Sequence, residues 1–218
     1  MDMRKIIIDA GKKLIHEGFT VETWGNISVR DKEGRVYISP SGMNYDNCTV
    51  DDVVVMDMNG KILHGERRPS IEAGLHLSVY RARPEIFAVV HTHPIYSTIF
   101  SCMGEKIPLL IDEAAQALGA DIQTAPYALP GTRELAENCV AALGTETNAC
   151  LLQSHGAVCV GHDMAAAFKV AKVLEMTAEI YYRIRSVGGA FLPISEENIA
   201  AMKSFAATGY GQPKTEEE

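Results

Sequence analysis

Residues 86–94 read IFAVVHTHP, and residues 149–161 read ACLLQSHGAVCVG. Each stretch contains a short apolar run that is typical of a strand buried on both faces. In the first stretch the run leads directly into two histidines, and in the second two such runs meet at a turn, residues 154–156. The two stretches therefore predict buried strands with three histidines at their ends: His91, His93 and His155.

The flanking sequence predicts one α/β domain. TWGNISVRD, GRVYIS and DDVVVMDMNGKIL are short β-branched runs broken by Gly, Asn and Asp, as in antiparallel strands. Helical spacing marks residues 3–17, the segment IEAGLHLSVYRARP, PIYSTIFSCM, TRELAENCVAALG, residues 164–183 and a shorter segment after ISEEN. Ser70 is the expected N-cap of the second helix, with Glu72 in its first turn. We expect the domain over residues 1–210 and a flexible polar tail over residues 211–218.

Composition excludes several classes of protein. The net charge is -8 and no long Lys/Arg run is present, so we expect no binding to nucleic acid. The N-terminus lacks a signal-peptide pattern, and no stretch approaches the roughly 18–20 apolar residues of a membrane span. The five cysteines include no C-x-x-C pair, which indicates reduced thiols. These features predict a cytoplasmic enzyme or module without a membrane partner.

The three histidines form a candidate metal site. His91 and His93 are two residues apart on a predicted strand, so both imidazoles project from the same face. His155 places a third imidazole on a turn where another strand can approach closely. Three histidines leave a coordination position open for substrate, unlike closed structural zinc sites. Taken alone, the H-x-H pair also fits surface or core histidines, and His155 also fits simple packing in a β-turn.

Glu72 is the candidate for the remaining chemical role, because a carboxylate near a metal can ligate the ion or move a proton. A Glu in the first turn of a helix also fits a plain interaction with the helix dipole. His76, four residues later, fits a helix partner or a core histidine better than a ligand. The turns TWGN and SPSG, together with Ser70, can bind an anion through N–H groups and hydroxyls, or can be ordinary turns.

The order of TWGNISVR, ISPSGMNY, RRPSIEAGLHLSVYRARPEIFAVVHTHP, APYALPGTRELAE and LLQSHGAVCVG resembles the class II aldolase/adducin family over roughly residues 5–205. The branch it resembles most is that of the fuculose-1-phosphate aldolases. The resemblance implies a mainly antiparallel central sheet flanked by helices, and a homotetramer with active sites between subunits. It implies Zn²⁺, or Mn²⁺ or Co²⁺, at His91, His93 and His155, with Glu72 as catalytic acid/base and possible fourth ligand. The implied phosphate site comprises Gly25, Asn26, Ser41, Gly42 and Ser70.

The chain departs from that branch at two places. Ile71 stands where a second serine is usual, so one hydroxyl at the phosphate is missing, and a backbone N–H can serve in its place. Asp112 and Glu113 stand where a tyrosine from the neighbouring subunit is usual, which predicts a substrate other than fuculose 1-phosphate. Tyr210 lies in a region that resembles the family's C-terminal tyrosine, where a phenol could move the proton of the C4 hydroxyl. An ordinary tail tyrosine fits the same position.

The resemblance implies reversible cleavage of a ketose 1-phosphate or deoxyketose 1-phosphate to dihydroxyacetone phosphate and an aldehyde, through a metal-stabilised enediolate that Glu72 protonates. Two alternatives use the same site: a pentulose-5-phosphate 4-epimerase and a decarboxylase of a 3-oxo sugar-acid phosphate. A third is a non-catalytic assembly module of the adducin type. The retained histidines and Glu72 count against the module, because a scaffold has no physical need for them.

Overall fold

The structure, a computed structural model, describes residues 2–208 and contains one eight-stranded sheet in that range. Its strands are β1 (Asn26–Arg30), β2 (Val36–Ile38), β3 (Val54–Met56), β4 (Ile62–His64), β5 (Ala88–Thr92), β6 (Thr124–Ala125), β7 (Ala149–Leu152) and β8 (Gly156–Gly161). The strand order is β4-β3-β2-β1-β5-β8-β7-β6, and every neighbouring pair is antiparallel except β6 and β7. The predicted single α/β domain with a mainly antiparallel sheet is confirmed.

Helices cover both faces of the sheet. The described residues form α1 (Met3–His16), α2 (Ala73–Ala82), α3 (Ile95–Met103), α4 (Asp112–Ala117), α5 (Arg133–Leu143), α6 (Met164–Ser186) and α7 (Glu196–Thr208). Helices α2 and α5 pack in one hydrophobic cluster, whereas α1, α3 and α6 pack in the other. Within residues 2–208, no helix combines the length and the apolar character that crossing a membrane requires.

Strand β5 shows how alternation distributes side chains between the two layers. Ala88 and Val90 lie in the cluster with α1, α3 and α6, whereas Val89 lies in the cluster with α2 and α5. Successive side chains of a strand point to opposite faces, so His91 shares the face of Val89. The sheet therefore directs His91 toward the layer that contains α2.

The start of α2 differs from the sequence prediction. The helix begins at Ala73 with Glu72 as its N-cap residue, so Glu72 lies before the first turn, and Ser70 is not the N-cap. The Ser70 backbone instead contacts the chain after β2, because its N–H donates to the Ser39 carbonyl at 3.1 Å. Its hydroxyl oxygen still accepts from the Glu72 N–H at 3.2 Å. This contact with Ser39 holds Ser70 outside the helix, so α2 begins only at Ala73, with Glu72 at its N-terminus.

Two short elements were not predicted from the sequence. Helix α4 has six residues and β6 has two, which is too short for hydrophobic periodicity to identify. Strand β6 forms because Thr124 and Ala125 pair in parallel with Leu151 and Leu152 of β7. The predicted tail, residues 211–218, lies outside the described residues, and its flexibility stays a prediction.

Candidate metal centre

Pairing between β5 and β8 places the first histidine. His91 lies opposite Val158 in the antiparallel register, and its ring is fully buried. Its Nδ1–H donates to the Ala157 carbonyl at 2.9 Å. A neutral imidazole has a single N–H, so this bond leaves the Nε2 lone pair of His91 free for a cation.

The other two histidines bring their Nε2 atoms to the same point. The Nε2 of His93 lies 2.8 Å from that of His91, and the Nε2 of His155 lies 3.3 Å from it. Candidate ligand atoms of all three residues lie within 4.8 Å of one another. Lone pairs at this spacing repel each other unless a cation or a proton lies between them. The nitrogen donors therefore fit a divalent cation with an open coordination position.

Burial keeps the imidazoles of His93 and His155 neutral. Desolvation, with a smaller contribution from the neighbouring histidines, lowers the pKa of His93 to about 3. Desolvation and the proximity of His91 lower the pKa of His155 to about 4. At neutral pH both rings are therefore unprotonated at one nitrogen, which is the form that binds a metal.

Glu72 lies beside the histidines from the start of α2, and it is only 5% exposed. Its Oε2 accepts from the Asn26 side-chain N–H at 2.8 Å and lies 3.3 Å from the His91 Nε2. Its Oε1 is buried, lies 3.7 Å from the His155 Nε2, and has no hydrogen-bond partner among the described residues. Burial raises the pKa of Glu72, but the proximity of His91 and His155 and the hydrogen bond from Asn26 outweigh burial. The pKa of Glu72 therefore lies below its ordinary value, and the carboxyl is ionised at neutral pH.

Glycines allow the backbone segments of the site to approach closely. A Cβ at Gly156 would lie 2.3 Å from the Thr92 carbonyl oxygen. Gly25 has a φ of +75°, and a Cβ there would lie 2.8 Å from the His91 carbonyl oxygen. Ser154, directly before His155, also has a positive φ of 54°, which is a strained conformation for a serine. The turn that presents His155 is therefore tightly constrained.

A cavity of about 530 Å³ opens above Glu72, His93 and His155. Its lining includes all six residues that sequence analysis assigned to the phosphate: Gly25, Asn26, Ser41, Gly42, Ser70 and Ile71. No lysine or arginine occurs among the described residues of this lining. An anion in the cavity would thus be bound by backbone N–H groups and hydroxyls.

Several lining residues were not identified from the sequence. Trp24, Pro130 and Ser154 also line the cavity, and Trp24 is 59% exposed. Trp24 is the only tryptophan of the chain and belongs to the TWGN turn. Its position beside Gly25 could therefore have identified it from the sequence as a lining residue. Pro130 had no such signal, because only the tertiary fold brings it beside the cavity.

Two predicted residues are not brought to the cavity. Asp112 and Glu113 are exposed in the first turn of α4 and do not line the cavity of their own chain. Their predicted role is in a neighbouring subunit and stays a prediction. Tyr210 lies outside the described residues.

A buried carboxylate beside three converging imidazoles, beneath a cavity of about 530 Å³, is the arrangement expected of a metal-dependent enzyme. Residues 5–182 match the family described as Class II Aldolase and Adducin N-terminal domain. The chain therefore belongs to the class II aldolase and adducin family. This match and the similarity to individual aldolases identify an enzyme of the metal-dependent aldehyde-lyase class.

The similarity to individual relatives extends over nearly the whole chain. The chain is 40% identical over 212 residues to the 5-deoxy-D-ribulose 1-phosphate aldolase of Bacillus thuringiensis serovar kurstaki, covering 96% of this chain and 97% of that protein. It is 35% identical over 207 residues to the 5-methylthioribulose-1-phosphate/5-deoxyribulose-1-phosphate aldolase of Rhodospirillum rubrum, covering 95% and 92%. A solved structure of L-fuculose 1-phosphate aldolase superposes with a TM-score of 0.89 at 35% identity, covering 93% and 95%.

Proposed function

We propose that this protein reversibly cleaves a 5-deoxyketose 1-phosphate, such as 5-deoxyribulose 1-phosphate, into dihydroxyacetone phosphate and a small aldehyde. The observation that carries the proposal is the convergence of three imidazole Nε2 atoms and the buried Glu72 carboxylate beneath one cavity. The similarity to two aldolases named for 5-deoxyribulose 1-phosphate supports this choice of substrate.

The proposed ion is Zn²⁺, with Mn²⁺ or Co²⁺ as alternatives, bound by His91, His93 and His155, and by Glu72 when no substrate is present. Such a cation would supply Lewis-acid stabilisation of the negative charge that develops on the substrate's carbonyl oxygen. Neutral imidazoles with one open position are the usual donor set of a catalytic zinc ion.

Glu72 is proposed to move the proton at C3. Cleavage breaks the C3–C4 bond, removes the proton of the C4 hydroxyl and leaves the bonding electron pair on the three-carbon fragment. The ionised Glu72 carboxylate would first take up a proton from solvent and then give it to C3, which balances the proton lost from the C4 hydroxyl. Its Oε1, which lacks a hydrogen-bond partner among the described residues, is the oxygen free to carry that proton. Tyr210 is proposed to accept the C4 hydroxyl proton.

The phosphate is proposed to bind at the turns that line the cavity. The hydroxyl oxygen of Ser70 accepts from the Glu72 N–H, so its own O–H is free to donate to an anion. Gly25, Asn26, Ser41, Gly42 and the Ile71 backbone would supply the other donors. The Ile71 side chain is 66% exposed and lines the cavity with Trp24, so it adds apolar surface where a second hydroxyl would otherwise bind.

Two wider features remain proposals. We propose a homotetramer with active sites between subunits, which would bring Asp112 and Glu113 of one copy near the cavity of the next. We also propose a cytoplasmic location, which agrees with the absence of disulfide bonds among the five cysteines.

The decisive experiment is product identification from a panel of phosphorylated ketoses. We expect dihydroxyacetone phosphate and acetaldehyde from 5-deoxyribulose 1-phosphate, with a higher kcat/KM than for fuculose 1-phosphate. Glu72→Gln should lower turnover by roughly a hundredfold or more while metal stays bound. Glu66→Gln, an exposed change six residues earlier, should leave turnover unchanged. Pentulose 5-phosphate epimerised without change of formula, or carbon dioxide released from a sugar acid, would replace the aldolase proposal with one of its alternatives.

A further inference from the structure

A row of buried polar side chains runs from Glu72 into the core. The Asn26 Nδ2–H donates to Glu72, and the Asn26 Oδ1 lies 2.5 Å from the His76 Nε2. The His76 Nδ1 lies 2.6 Å from the Ser28 hydroxyl, which in turn lies 2.8 Å from the Tyr80 hydroxyl. Strand β1 contributes Asn26 and Ser28, and α2 contributes His76 and Tyr80, so the row bridges the sheet and this helix.

The row is shielded from water. His76 and Ser28 are 0% exposed and Tyr80 is 1% exposed. Buried polar groups are costly unless they are paired, so each hydrogen bond in the row has to match a donor with an acceptor. This condition fixes the direction of every bond.

The direction follows from the Glu72 end. An ionised carboxylate only accepts hydrogen bonds, so the Asn26 amide presents its NH₂ group to Glu72. The amide oxygen of Asn26 then faces the His76 Nε2, which has to carry the ring proton. The opposite amide orientation would place two acceptors against each other at Glu72.

The remaining bonds follow in the same way. The His76 ring is fully buried, which disfavours its charged form, so the ring has a single N–H. With the proton on Nε2, the Nδ1 of His76 accepts from the Ser28 hydroxyl. The Ser28 oxygen then accepts from the Tyr80 hydroxyl, and every donor in the row points toward Glu72.

We propose that His76 is a positioning residue that holds the Asn26 amide in the orientation that donates to Glu72, and so holds the carboxylate beside the metal site. The inference rests on the proposed function of Glu72 as the group that moves a proton. His76 does not itself line the cavity, and its side chain reaches the site through its hydrogen bond with Asn26, so it acts through Asn26. The Glu72 Oε2 is thereby held by the Asn26 amide, and the Glu72 Oε1 is left to carry the proton.

The first test is spectroscopic and needs no substrate. In protein labelled with ¹⁵N at histidine, His76→Gln identifies the His76 signals by their loss. We expect the neutral Nε2–H tautomer at pH 7. A neutral Nδ1–H tautomer, or a charged imidazolium, would overturn the proposed direction of the row.

The second test is kinetic. His76→Leu should lower kcat by about 10- to 100-fold, the usual effect of removing a group that orients a metal-site residue, with KM and bound metal little changed. His76→Gln can still offer a donor and an acceptor, so it should retain most of the wild-type kcat. Ser78→Ala, on the same helix but outside the row, is the control and should match wild type. Equal losses in the Leu and Gln variants would indicate packing alone and overturn the proposal.

Asn26→Asp covers the case in which the Leu variant does not fold. The change is isosteric, yet it replaces the donor to Glu72 by an acceptor, so kcat should fall strongly. Wild-type kcat in this variant would overturn the proposal. Wild-type protein that cleaves no ketose 1-phosphate would contradict the proposed function instead, while the His76 resonances would still support or overturn the row's direction.

Discussion

The two ring nitrogens of His91 have different partners: Nδ1 hydrogen-bonds to the protein backbone, and Nε2 faces the metal centre. The bond from its Nδ1–H to the Ala157 carbonyl selects the tautomer, and that carbonyl is available because β8 pairs with β5 directly after Gly156. Histidine spacing in the sequence predicted that these side chains would meet. The tautomer was not predictable, because it depends on a backbone carbonyl 66 residues away.

The metal assignment leads to a prediction for each histidine. Replacement of His91, His93 or His155 by Ala should remove most of the bound metal, because a ligand set reduced to two imidazoles loses much of its affinity. Elemental analysis of the purified variants measures this directly. His162→Ala is the control, since His162 is exposed on the surface. Stoichiometric, activity-supporting metal in a variant lacking all three histidines would contradict the assignment.

His76 should also make the stability of the metal-free protein depend on pH. Its pKa is about 3 in the folded state, against an ordinary value of 6.5, so the unfolded chain binds a proton that the folded chain does not. The free energy of unfolding should therefore fall as pH decreases from 6.5 toward 3, and this residue should contribute about 1.4 kcal/mol per pH unit.

Urea unfolding at several pH values, at fixed protein concentration, measures that slope. In His76→Gln the slope between about pH 6 and pH 4 should be smaller by about one proton's contribution. An unchanged slope would mean that His76 is protonated in the folded protein, or that it is not buried as described.

At the scale of elements, hydrophobic periodicity predicted the helices and strands that depend on their own local sequence. Helices α1, α5 and α6 were predicted from their spacing, and the structure adds that the side chains of Asp2, Thr132 and Asp163 cap their N-termini. The start of α2 was predicted wrongly, because a contact with Ser39, distant in sequence, decides it. The strands that carry the histidines were predicted from their apolar runs, whereas β6 depends wholly on its partner strand.

Helix α3 follows His93 and Pro94 directly, and its N-terminus is held by Glu175 of α6. The Glu175 carboxylate accepts from the N–H groups of Tyr96 and Ser97 at 2.7 and 2.8 Å, and from the Ser97 hydroxyl at 2.7 Å. Glu175→Gln should lower the free energy of unfolding by about 1–3 kcal/mol, because hydrogen bonds to a charged group are among the stronger ones.

The change should also weaken metal binding, since α3 fixes the chain just after His93. Glu179→Gln, one turn further along α6, removes a surface pair with Arg183 and should change stability by less than about 0.5 kcal/mol. Chemical denaturation and metal titration of both variants provide the comparison. Equal effects in the two variants would show that the Glu175 contacts do not support the site.

At the scale of the whole molecule, large apolar side chains remain exposed near the cavity. Trp24 and Ile71 line it, and Tyr127 and Leu129, which precede Pro130, are 53% and 63% exposed. Exposed apolar groups that cluster in this way are typical of surfaces that contact another protein chain. Their position agrees with the proposed homotetramer, in which a second copy would cover the cavity rim.

Sedimentation equilibrium should therefore give a particle of four 23.7 kDa chains. Activity per subunit should fall when dilution dissociates the particle, because each site would lose its neighbour. A fully active monomer would contradict the proposed arrangement of sites between subunits.

The pairing of β5 with β8 has a further consequence for folding. His91 and His155 are separated by 64 positions, so an unfolded chain seldom brings them together. A cation that binds all three histidines would therefore bind the native chain far better than the unfolded one, and by mass action would raise the apparent melting temperature. The metal centre would then link β5 to the β7–β8 hairpin, and the concentration of the ion would determine how fast each molecule is degraded by proteases.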